Sequence, residues 1–333
     1  MRKFVMLFAA IALFLVETGA YAGGEVVVYS ARKEHLIKPL FDQFTKDTGI
    51  KVIYTTDKAP VLLQKILAEG KNTRADILMT VDAGNLWHAA EQGVLQPIKS
   101  GTLNSNIPEH LKDPKNRWFG LSVRARTIIY DSRDVQPDEL STYADLSNPK
   151  WENELCLRTS KKVYNRSLVA MLIAEKGYIE TLDIVRGWVN NLAMKPTSGD
   201  TKVIEAILAG KCNVGVVNSY YLGRFVDKNG EIPVKIFWAN QNSTGTHVNV
   251  SGAGVTKYAK NKENAVKLIE WLSGEKAQKI FAELNHEYPA NPESKVSKLL
   301  AEWGTFKQNV INVSLAGELQ DEAIKLMDEA GYK

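Results

Sequence analysis

The sequence has 333 residues, enough for two domains of roughly 150 residues each. Hydrophobic residues make up 44% and charged residues 24% of the chain, which is the ordinary composition of a globular protein. The formal net charge is only +4 and the Lys and Arg residues are scattered, which argues against a nucleic-acid-binding surface.

The first 22 residues have the pattern of a cleavable secretory signal. Arg2 and Lys3 form a short positive segment, residues 5–16 are almost wholly apolar, and Ala20 and Ala22 are small residues before the cleavage point. A membrane anchor is the alternative, but this run of about a dozen residues is shorter than the roughly 20 that span a bilayer. No cysteine follows that could carry a lipid. We therefore expect export, cleavage after about Ala22, a periplasmic location and no membrane-spanning segment.

The first part of the mature chain alternates strands and helices. A β-branched run at 25–29 predicts a buried strand, and apolar residues at helical spacing from Leu36 to Phe44 predict a helix that ends at Gly49. The alternation continues with strands at 50–54 and 76–81 and helices at 61–67 and 82–92. This order predicts an α/β unit with a mainly parallel sheet.

The rest of the chain repeats this arrangement. Strands are predicted at 120–130, 155–158, 214–218, 234–238 and 248–255. Helices are predicted at 167–175, 179–192, 203–208, 264–272, 277–284, 296–303 and 315–327. The strands at 120–130 and 248–255 are candidate crossovers between two lobes, so a ligand would bind in the cleft between the lobes. We expect one lobe to comprise 23–122 plus about 250–295, and the other about 123–249 plus 296–333.

The two cysteines, Cys156 and Cys212, lie on strand-like segments. An even number of cysteines in an exported protein favours a disulfide, which neighbouring strands could bring together. Two buried free thiols are the alternative. A zinc site is disfavoured because neither cysteine belongs to a CxxC pair or has a histidine at ligand spacing.

Ligands of open α/β sheets collect at the carboxyl ends of the strands. This rule selects the residues at 30–34, Asp82, and the pair Tyr220 and Tyr221, which directly follows the buried strand at 214–218. Phenolate is a hard anionic oxygen donor suited to a hard trivalent cation, and tyrosine serves as an iron ligand in other proteins. Alternatively, one tyrosine of the pair belongs to the core and the other to an interface.

Several segments across the mature chain resemble one family of proteins. They are Val28-Tyr29-Ser30-Ala31-Arg32, the run from Ala75 to Gly84, the run from Trp118 to Arg126, Val163-Tyr164-Asn165-Arg166-Ser167-Leu168, and Asn218-Ser219-Tyr220-Tyr221. Together they resemble the bacterial ferric-iron-binding proteins, which are the solute receptors of Fe(III) ABC transporters.

The resemblance implies a fold and a cargo. The fold would be the two-lobed type II periplasmic binding protein fold, α/β in class, with a mixed sheet flanked by helices in each lobe. Fe(III) would bind in the cleft through phenolates of Tyr164, Tyr220 and Tyr221. Arg124 matches a cleft arginine that would neutralise phenolate charge or hold an anion such as carbonate or citrate. The partners would be an inner-membrane ABC permease and its ATPase, and the receptor would act as a monomer.

The sequence departs from this pattern directly after Arg32. Cyanobacterial members carry His-Tyr where this chain has Lys33 and Glu34. Glu34 is therefore a candidate carboxylate ligand, unless the N-terminal lobe supplies no ligand at all. His35 and Tyr29 are further candidates, and water or a small anion could complete the coordination. A helix starts near Ser30, and because helix N-termini suit anions, Ser30 and Arg32 are candidate anion-binding residues.

Other candidates have structural interpretations. Asp82 could bind the metal or accept a hydrogen bond from one of its ligands, but a strand-end aspartate is more often the N-cap of the next helix. Arg126 shares a strand face with Arg124 and could pair with an acid elsewhere. The remaining histidines show no ligand spacing, and three tryptophans are expected in the core. These are His88, His110, His247, His286, Trp118, Trp151 and Trp188.

Two other functions remain open at this stage. The same fold could bind an oxyanion or another small solute around Arg124 without a metal, since fold alone does not decide the ligand. An exported hydrolase is a remote alternative, because the sequence contains no GxSxG or HExxH motif and no cysteine with a plausible histidine partner.

Overall fold

The computed structural model describes residues 23–333, so the predicted signal segment lies outside the described residues. Within that range, no helix combines the length and the apolar character needed to cross a membrane.

The described residues form one continuous mixed β-sheet with helices on its faces. The strands are β1 (Glu25–Ser30), β2 (Lys51–Thr56), β3 (Ile77–Val81), β4 (Phe119–Asp131), β5 (Leu155–Cys156), β6 (Val214–Asn218), β7 (Val234–Phe237), β8 (Val248–Val255) and β9 (Tyr288–Pro289). Their order is β2-β1-β3-β8-β4-β6-β5, and β7 and β9 also pair with β4.

Thirteen helices accompany these strands in the described part of the chain. They are α1 (Glu34–Thr48), α2 (Ala59–Glu69), α3 (Ala83–Glu91), α4 (Gly101–Asn106), α5 (Val163–Lys176), α6 (Tyr178–Asn190), α7 (Asp200–Leu208), α8 (Ser219–Asn229), α9 (Lys262–Ser273), α10 (Glu275–Asn285), α11 (Lys298–Glu302), α12 (Leu315–Glu318) and α13 (Gln320–Glu329). Short 3₁₀ turns lie at Gly70–Asn72, Glu109–Leu111, Pro137–Glu139, Ala144–Ser147 and Pro149–Trp151.

The N-terminal half of the sheet is built on the buried strand β1. Its β-branched residues fit a strand that is covered on both faces. β1 pairs in parallel with β2 and β3, and β3 pairs antiparallel with β8, where Met79 lies opposite Ala253. Because β1, β2 and β3 run in parallel, their carboxyl ends meet at one edge of the sheet.

Strand β4 joins this half of the sheet to the other half. All 13 of its residues are buried. Residues Phe119 to Ala125 pair with β8, and residues Arg126 to Tyr130 pair with β6, so one strand serves both halves. β4 therefore runs from one half of the sheet into the other, and β8 lies beside its first part. The mixed sheet segments flanked by helices give the two-lobed type II fold.

Separate hydrophobic cores fill the two halves. Val28, Phe41 and Phe281 belong to one core, and Leu168 and Trp188 belong to the other. The predicted burial of the three tryptophans is confirmed, since Trp118, Trp151 and Trp188 are all core residues. The predicted disulfide is also confirmed. Cys156 ends β5, Cys212 lies just before the parallel neighbour β6, and the two Cα atoms are 6.0 Å apart.

Some element boundaries differ from the predicted ones. The helix predicted at 315–327 is two helices, α12 and α13, because the chain turns at Leu319. The helix predicted at 167–175 begins four residues earlier, at Val163. Its first turn contains Tyr164, Asn165 and Arg166, polar residues that give no apolar periodicity in the sequence. The two-residue strand β9 and the helix α4 are too short to leave a periodic pattern.

Candidate functional site

A cavity of about 540 Å³ lies at the carboxyl edge of the parallel strands. One wall comes from the loops after β1 and β2 and from Val81 at the end of β3. The opposite wall comes from the first turns of α5 and α8. Arg124, from the crossing strand β4, lies between the two walls. Of the strand-end residues that the sequence selects, the structure brings Arg32, Lys33, Tyr220 and Tyr221 to this cavity, but not Ser30, Glu34 or Asp82.

Three phenols meet in this cavity. Tyr164 is the second residue of α5, and Tyr220 and Tyr221 are the second and third residues of α8. The rings of Tyr220 and Tyr221 have their centroids 4.5 Å apart. Tyr220 is almost fully buried, whereas Tyr164 and Tyr221 are partly exposed to the cavity. The three phenols therefore come from only two helix starts.

The environment favours the protonated forms of Tyr164 and Tyr220 when no cation is bound. Burial raises the pKa of Tyr220 well above 10, and repulsion from Tyr164 and Tyr221 adds to the shift. Burial also raises the pKa of Tyr164, although the nearby Arg124 opposes the increase. A bound multivalent cation favours the deprotonated form of its ligands and would reverse this balance.

Two arginines lie beside the phenols. The Arg124 guanidinium is 5.3 Å from the ring centre of Tyr164, and its Nη2 donates to the carbonyl of Val250 at 2.7 Å. Within residues 23–333 its Nε has no hydrogen-bond partner. Arg158 lies 5.4 Å from the ring of Tyr164 and 6.0 Å from that of Tyr221. Both cations would stabilise phenolates, and Arg124 has a free N–H for an anion.

A buried polar network, which sequence reasoning missed, lies beneath the phenols. Asp200 is fully buried and pairs with Arg126 at 3.1 Å and with Arg158 at 3.4 Å. Its carboxylate also accepts from the backbone N–H of Asn218 at 3.0 Å. Arg126 in turn donates to the side chains of Asn165 and Asn218.

These two asparagines lie close to the tyrosines in the sequence, since Asn165 is next to Tyr164 and Asn218 is two residues before Tyr220. One carboxylate therefore links the starts of both tyrosine-bearing helices. No local motif identifies Asp200, because its partners Asn218, Arg158 and Arg126 are 18, 42 and 74 residues away along the chain. The predicted pairing of Arg126 with a distant acid is confirmed.

Asp82 is the N-cap of α3 and also contacts α5 and β8. Its side chain accepts from the backbone N–H of Gly84 at 2.9 Å, as the capping interpretation predicts. It also accepts from the hydroxyl of Ser167 in α5 and from the amide of Asn249 in β8. Burial raises its pKa to about 6, although Arg124 and these hydrogen bonds act against the increase. Asp82 itself does not line the cavity.

The other wall of the cavity presents Arg32, Lys33 and Lys58. Arg32 pairs with Glu287 at 3.0 Å, and both side chains are buried. Burial would raise the pKa of Glu287, but Arg32, Arg124 and the Ser122 hydroxyl lower it below its ordinary value. Sequence reasoning missed Glu287 because it lies far from β1, between α10 and β9.

Several predicted site residues lie outside the cavity. Glu34 accepts a hydrogen bond from the hydroxyl of Tyr54 at 2.8 Å, on the exposed side of α1. Tyr29 donates to Glu69 at 3.0 Å, beneath the sheet edge. The Ser30 hydroxyl accepts from the Arg32 N–H and closes the turn after β1. His35 is exposed on α1 and does not line the cavity.

The other histidines have structural surroundings. His247 is buried near Arg126 and Arg124, and burial together with these cations lowers its pKa to about 3. His286 pairs with Asp227 at 2.7 Å. Across residues 23–333, no group of three or more His, Cys, Asp or Glu residues could hold a metal ion. The metal donors of the cavity are therefore mainly the oxygens of its tyrosines.

Comparisons with known proteins show the family to which this fold belongs. A family model described as bacterial extracellular solute-binding protein matches residues 72–308. "Iron uptake protein A1" of Synechocystis sp. is 42% identical, over 93% of this chain and 88% of the relative.

Two solved structures are similar along almost the whole chain. A Trichodesmium FutA in complex with iron and citrate ligands has a TM-score of 0.90 and 45% identity, covering 93% of this chain and 100% of that one. The ferric iron-binding protein A of Mannheimia haemolytica in an open conformation has a TM-score of 0.86 and 38% identity, covering 93% and 99%. The chain belongs to the family of bacterial extracellular solute-binding proteins.

Proposed function

We propose that this protein captures ferric iron in the periplasm and delivers it to an ABC permease for uptake. The observation that carries the proposal is the convergence of Tyr164, Tyr220 and Tyr221 beside Arg124 in one cavity. The names of the relatives, iron uptake protein and ferric iron-binding protein, support the same cargo. An exported hydrolase is disfavoured, since the relatives are solute-binding proteins.

The charges of the site suit a trivalent ion. Three phenolates balance the charge of Fe(III), and a hard cation prefers hard anionic oxygen donors. All three phenols lie in the first turns of helices, where the helix dipole favours negative charge. Binding would then release about three protons, because the phenols are protonated in the metal-free site.

A co-bound anion would complete the coordination. Arg124 has an unpartnered Nε beside the phenols, which suits an oxygen of carbonate or citrate. The Trichodesmium relative was solved with both iron and citrate. Glu34 would have to leave Tyr54 to reach the metal, so we place it outside the ligand set.

Capture would include closure of the two lobes about β4 and β8. The proposed lobes are 23–122 plus about 250–295, and about 123–249 plus 296–333. Separate hydrophobic cores on either side of the crossing strands support this division. Closure is a population shift that the cargo drives by binding the closed form more tightly. The closed surface would be the one that a permease and its ATPase recognise, with the receptor acting as a monomer.

A second candidate is an oxyanion receptor that needs no metal. It is favoured by the cations of the cavity, among them Arg32, Lys33, Lys58 and Arg124. It does not account for three phenols at the same place, because neutral phenols are weak partners for an anion compared with N–H donors of charged groups. Tight binding of sulfate or phosphate by metal-stripped protein would support this candidate.

The proposal is tested by changing the phenols alone. In the Tyr220→Phe, Tyr221→Phe double variant we expect iron affinity to fall at least 100-fold, because two anionic donors are lost. Competition against a calibrated ferric chelator measures the affinity. Tyr54→Phe is the matched control, since its hydroxyl bonds Glu34 outside the cavity and its removal leaves iron binding unchanged. Unchanged iron affinity in the double variant would contradict the proposal.

A further inference from the structure

His286 ends α10 in a backbone conformation that few residues with a side chain adopt. Its φ is 54° and its ψ is 33°, the left-handed region, where the C-terminus of a helix usually has Gly or Asn. This conformation is strained for a residue of this size and persists only where the surrounding contacts hold it. The contacts of the buried His286 side chain therefore deserve a structural explanation.

The side chain of His286 lies against α8, the helix that carries Tyr220. Its Nε2 is 2.7 Å from Oδ2 of Asp227. A Cβ atom at Gly223 would lie 3.0 Å from Cβ and Cγ of the histidine, so the absence of a side chain there allows the close approach. Tyr220, Gly223 and Asp227 follow one another at spacings of three and four, which places them on one face of α8. His286 thus contacts the helix face that presents a phenol to the cavity.

The residues after His286 belong to the opposite wall of the cavity. Glu287 lines the cavity and pairs with Arg32 at 3.0 Å. It also accepts a hydrogen bond of 2.6 Å from the hydroxyl of Ser122. Tyr288 starts β9, which pairs with β4. The backbone after His286 is therefore fixed to the wall that faces the phenols, while its side chain reaches α8.

The bond between His286 and Asp227 lies at the surface of the molecule. The histidine side chain is 8% exposed and the aspartate side chain is 59% exposed. Because Asp227 stays in water when the bond breaks, breaking it leaves no buried charge. A hydrogen bond to a carboxylate nevertheless adds to the free energy needed to separate its two partners. Such a bond can form and break as the walls of the cavity approach and separate.

From these contacts we infer that the His286–Asp227 bond is a latch, which holds the phenol-bearing helix α8 against the opposite wall and slows the release of iron. Neither residue lines the cavity, so loss of the bond would leave the phenols and their iron bonds unchanged. It would lower only the barrier to separation of the two walls. The inference rests on the proposed function and adds to it the residue pair that determines how long the iron is held.

The experiment measures how fast iron leaves the full mature protein. The protein is loaded with Fe(III), an excess of EDTA is added, and the decay of the visible absorption band is followed. The variants are Asp227→Ala, His286→Asn and the two combined. Asparagine adopts the left-handed conformation readily, so it preserves the end of α10, but its shorter side chain cannot make the same bond. Asp183→Ala is the matched control, because it removes the same charge from an exposed position on α6 outside the cavity.

We expect iron release to become about fivefold faster, or more, in each single variant, because opening no longer breaks a hydrogen bond to a carboxylate. The double variant should release iron no faster than the faster single variant, since each change removes the same bond. The wavelength of the band should stay the same in every variant, because the phenols keep their positions. Asp183→Ala should release iron at the wild-type rate.

Wild-type release rates in both single variants would overturn the inference. So would rate increases that multiply in the double variant, because the two residues would then act independently. A shift of the band in either single variant would also contradict the latch, since the pair would then position the phenols. Absence of the band in the wild type would instead contradict the proposed function, and this inference would fall with it.

Discussion

At the scale of single residues, the surroundings of the three phenols balance two opposing effects. Burial raises the pKa of Tyr164 and Tyr220, while Arg124 favours their ionised forms. The helix starts of α5 and α8 add to the second effect. The site is therefore protonated when empty and becomes anionic only around a cation.

This balance predicts that iron binding releases protons. We expect about three protons per iron at neutral pH, one from each phenol, because a phenol with a pKa of about 10 or higher is protonated at neutral pH. Iron retention should accordingly weaken as the pH falls. Loading in weakly buffered solution with a pH-stat measures the release, with Tyr221→Phe expected to release one proton fewer. If the tyrosine variant releases as many protons per iron as the wild type, this prediction is contradicted.

The Glu34→Ala variant tests the candidate ligand that the structure does not bring to the cavity. We expect iron affinity to change less than about twofold, because the Glu34 carboxylate is engaged with the exposed hydroxyl of Tyr54. Chelator competition measures the affinity. A loss of tenfold or more would show that Glu34 reaches the metal after closure and would restore it to the ligand set.

Asp200 is expected to position the phenols without touching the cargo. Asp200→Asn leaves Arg126 and Arg158 without their buried counter-charge, and breaking such a pair typically costs about 3–5 kcal/mol. We expect iron affinity to fall about tenfold and the energy of the visible absorption band to shift, since both helix starts lose a shared anchor.

A control separates this role from a general loss of stability. Asp131 is also fully buried and pairs with Arg133 at the far end of β4. Asp131→Asn should lower the melting temperature but leave the absorption band and the iron affinity unchanged. Equal effects of the two variants on stability and on iron would contradict a positioning role for Asp200.

A site residue can be predicted from the sequence only when the features that identify it lie close to it in the chain. Tyr220 and Tyr221 follow a buried strand directly, so the strand-end rule finds them from the sequence. Tyr164 and Arg124 emerge from family resemblance rather than from local periodicity. Asp200 and Glu287 act through partners far away in the chain, and only the fold brings these partners together.

At the scale of elements, the disulfide fixes β5 against β6, the strand that leads into Tyr220 and Tyr221. Cys156 and Cys212 are 56 residues apart, and both lie in a buried cluster with α7. The enclosed segment contains α5, α6 and α7. The bond therefore ties both tyrosine-bearing helix starts to one side of the sheet.

Removing this disulfide should cost stability more than function. A loop of this length predicts that Cys156→Ala with Cys212→Ala lowers the free energy of unfolding by about 4 kcal/mol, mainly through the unfolded chain. Urea unfolding measures the change. Iron binding at 25 °C should persist, because β6 remains paired with β4. An unaltered free energy of unfolding would contradict the stabilising role.

Across the whole molecule, Asp82 links elements that are far apart in the chain. It caps α3, accepts from Ser167 in α5 and from Asn249 in β8, and lies at the end of β3. Ser167 is one helical turn from Tyr164, so this contact also supports the position of α5. The buried carboxylate makes the junction sensitive to pH.

The pKa of Asp82 is about 6, compared with 3.8 for an ordinary aspartate, and this difference determines how the stability of the protein changes with pH. Because the folded protein holds the proton more tightly than the unfolded chain, this contribution favours folding below about pH 4. It is lost as the pH rises through about 6. Asp82→Asn removes this titrating group. The free energy of unfolding of the variant, relative to that of the wild type, should therefore rise by about 2 kcal/mol from pH 4.5 to pH 7.5. Urea unfolding of the metal-free proteins at both values checks this. A constant difference would contradict the shifted pKa.

Most of the architecture could be predicted from the sequence, because the strands are rich in β-branched residues and the helices have apolar residues at helical spacing. The two crossing strands at 120–130 and 248–255 are present as β4 and β8. The turn at Leu319 and the early start of α5 could not be predicted. Tertiary packing and a polar first turn determine them, rather than any local pattern.

Binding of ferric iron by the three phenols is tested most directly on the mature chain from Gly23 onward. The protein is stripped of metal, titrated with chelated Fe(III) and followed by its visible absorption. We expect a saturable charge-transfer band at one iron per chain that disappears in the Tyr220→Phe, Tyr221→Phe variant. A colourless protein that retains no iron would contradict iron binding by the phenols and leave the oxyanion receptor as the better explanation of the cationic cavity.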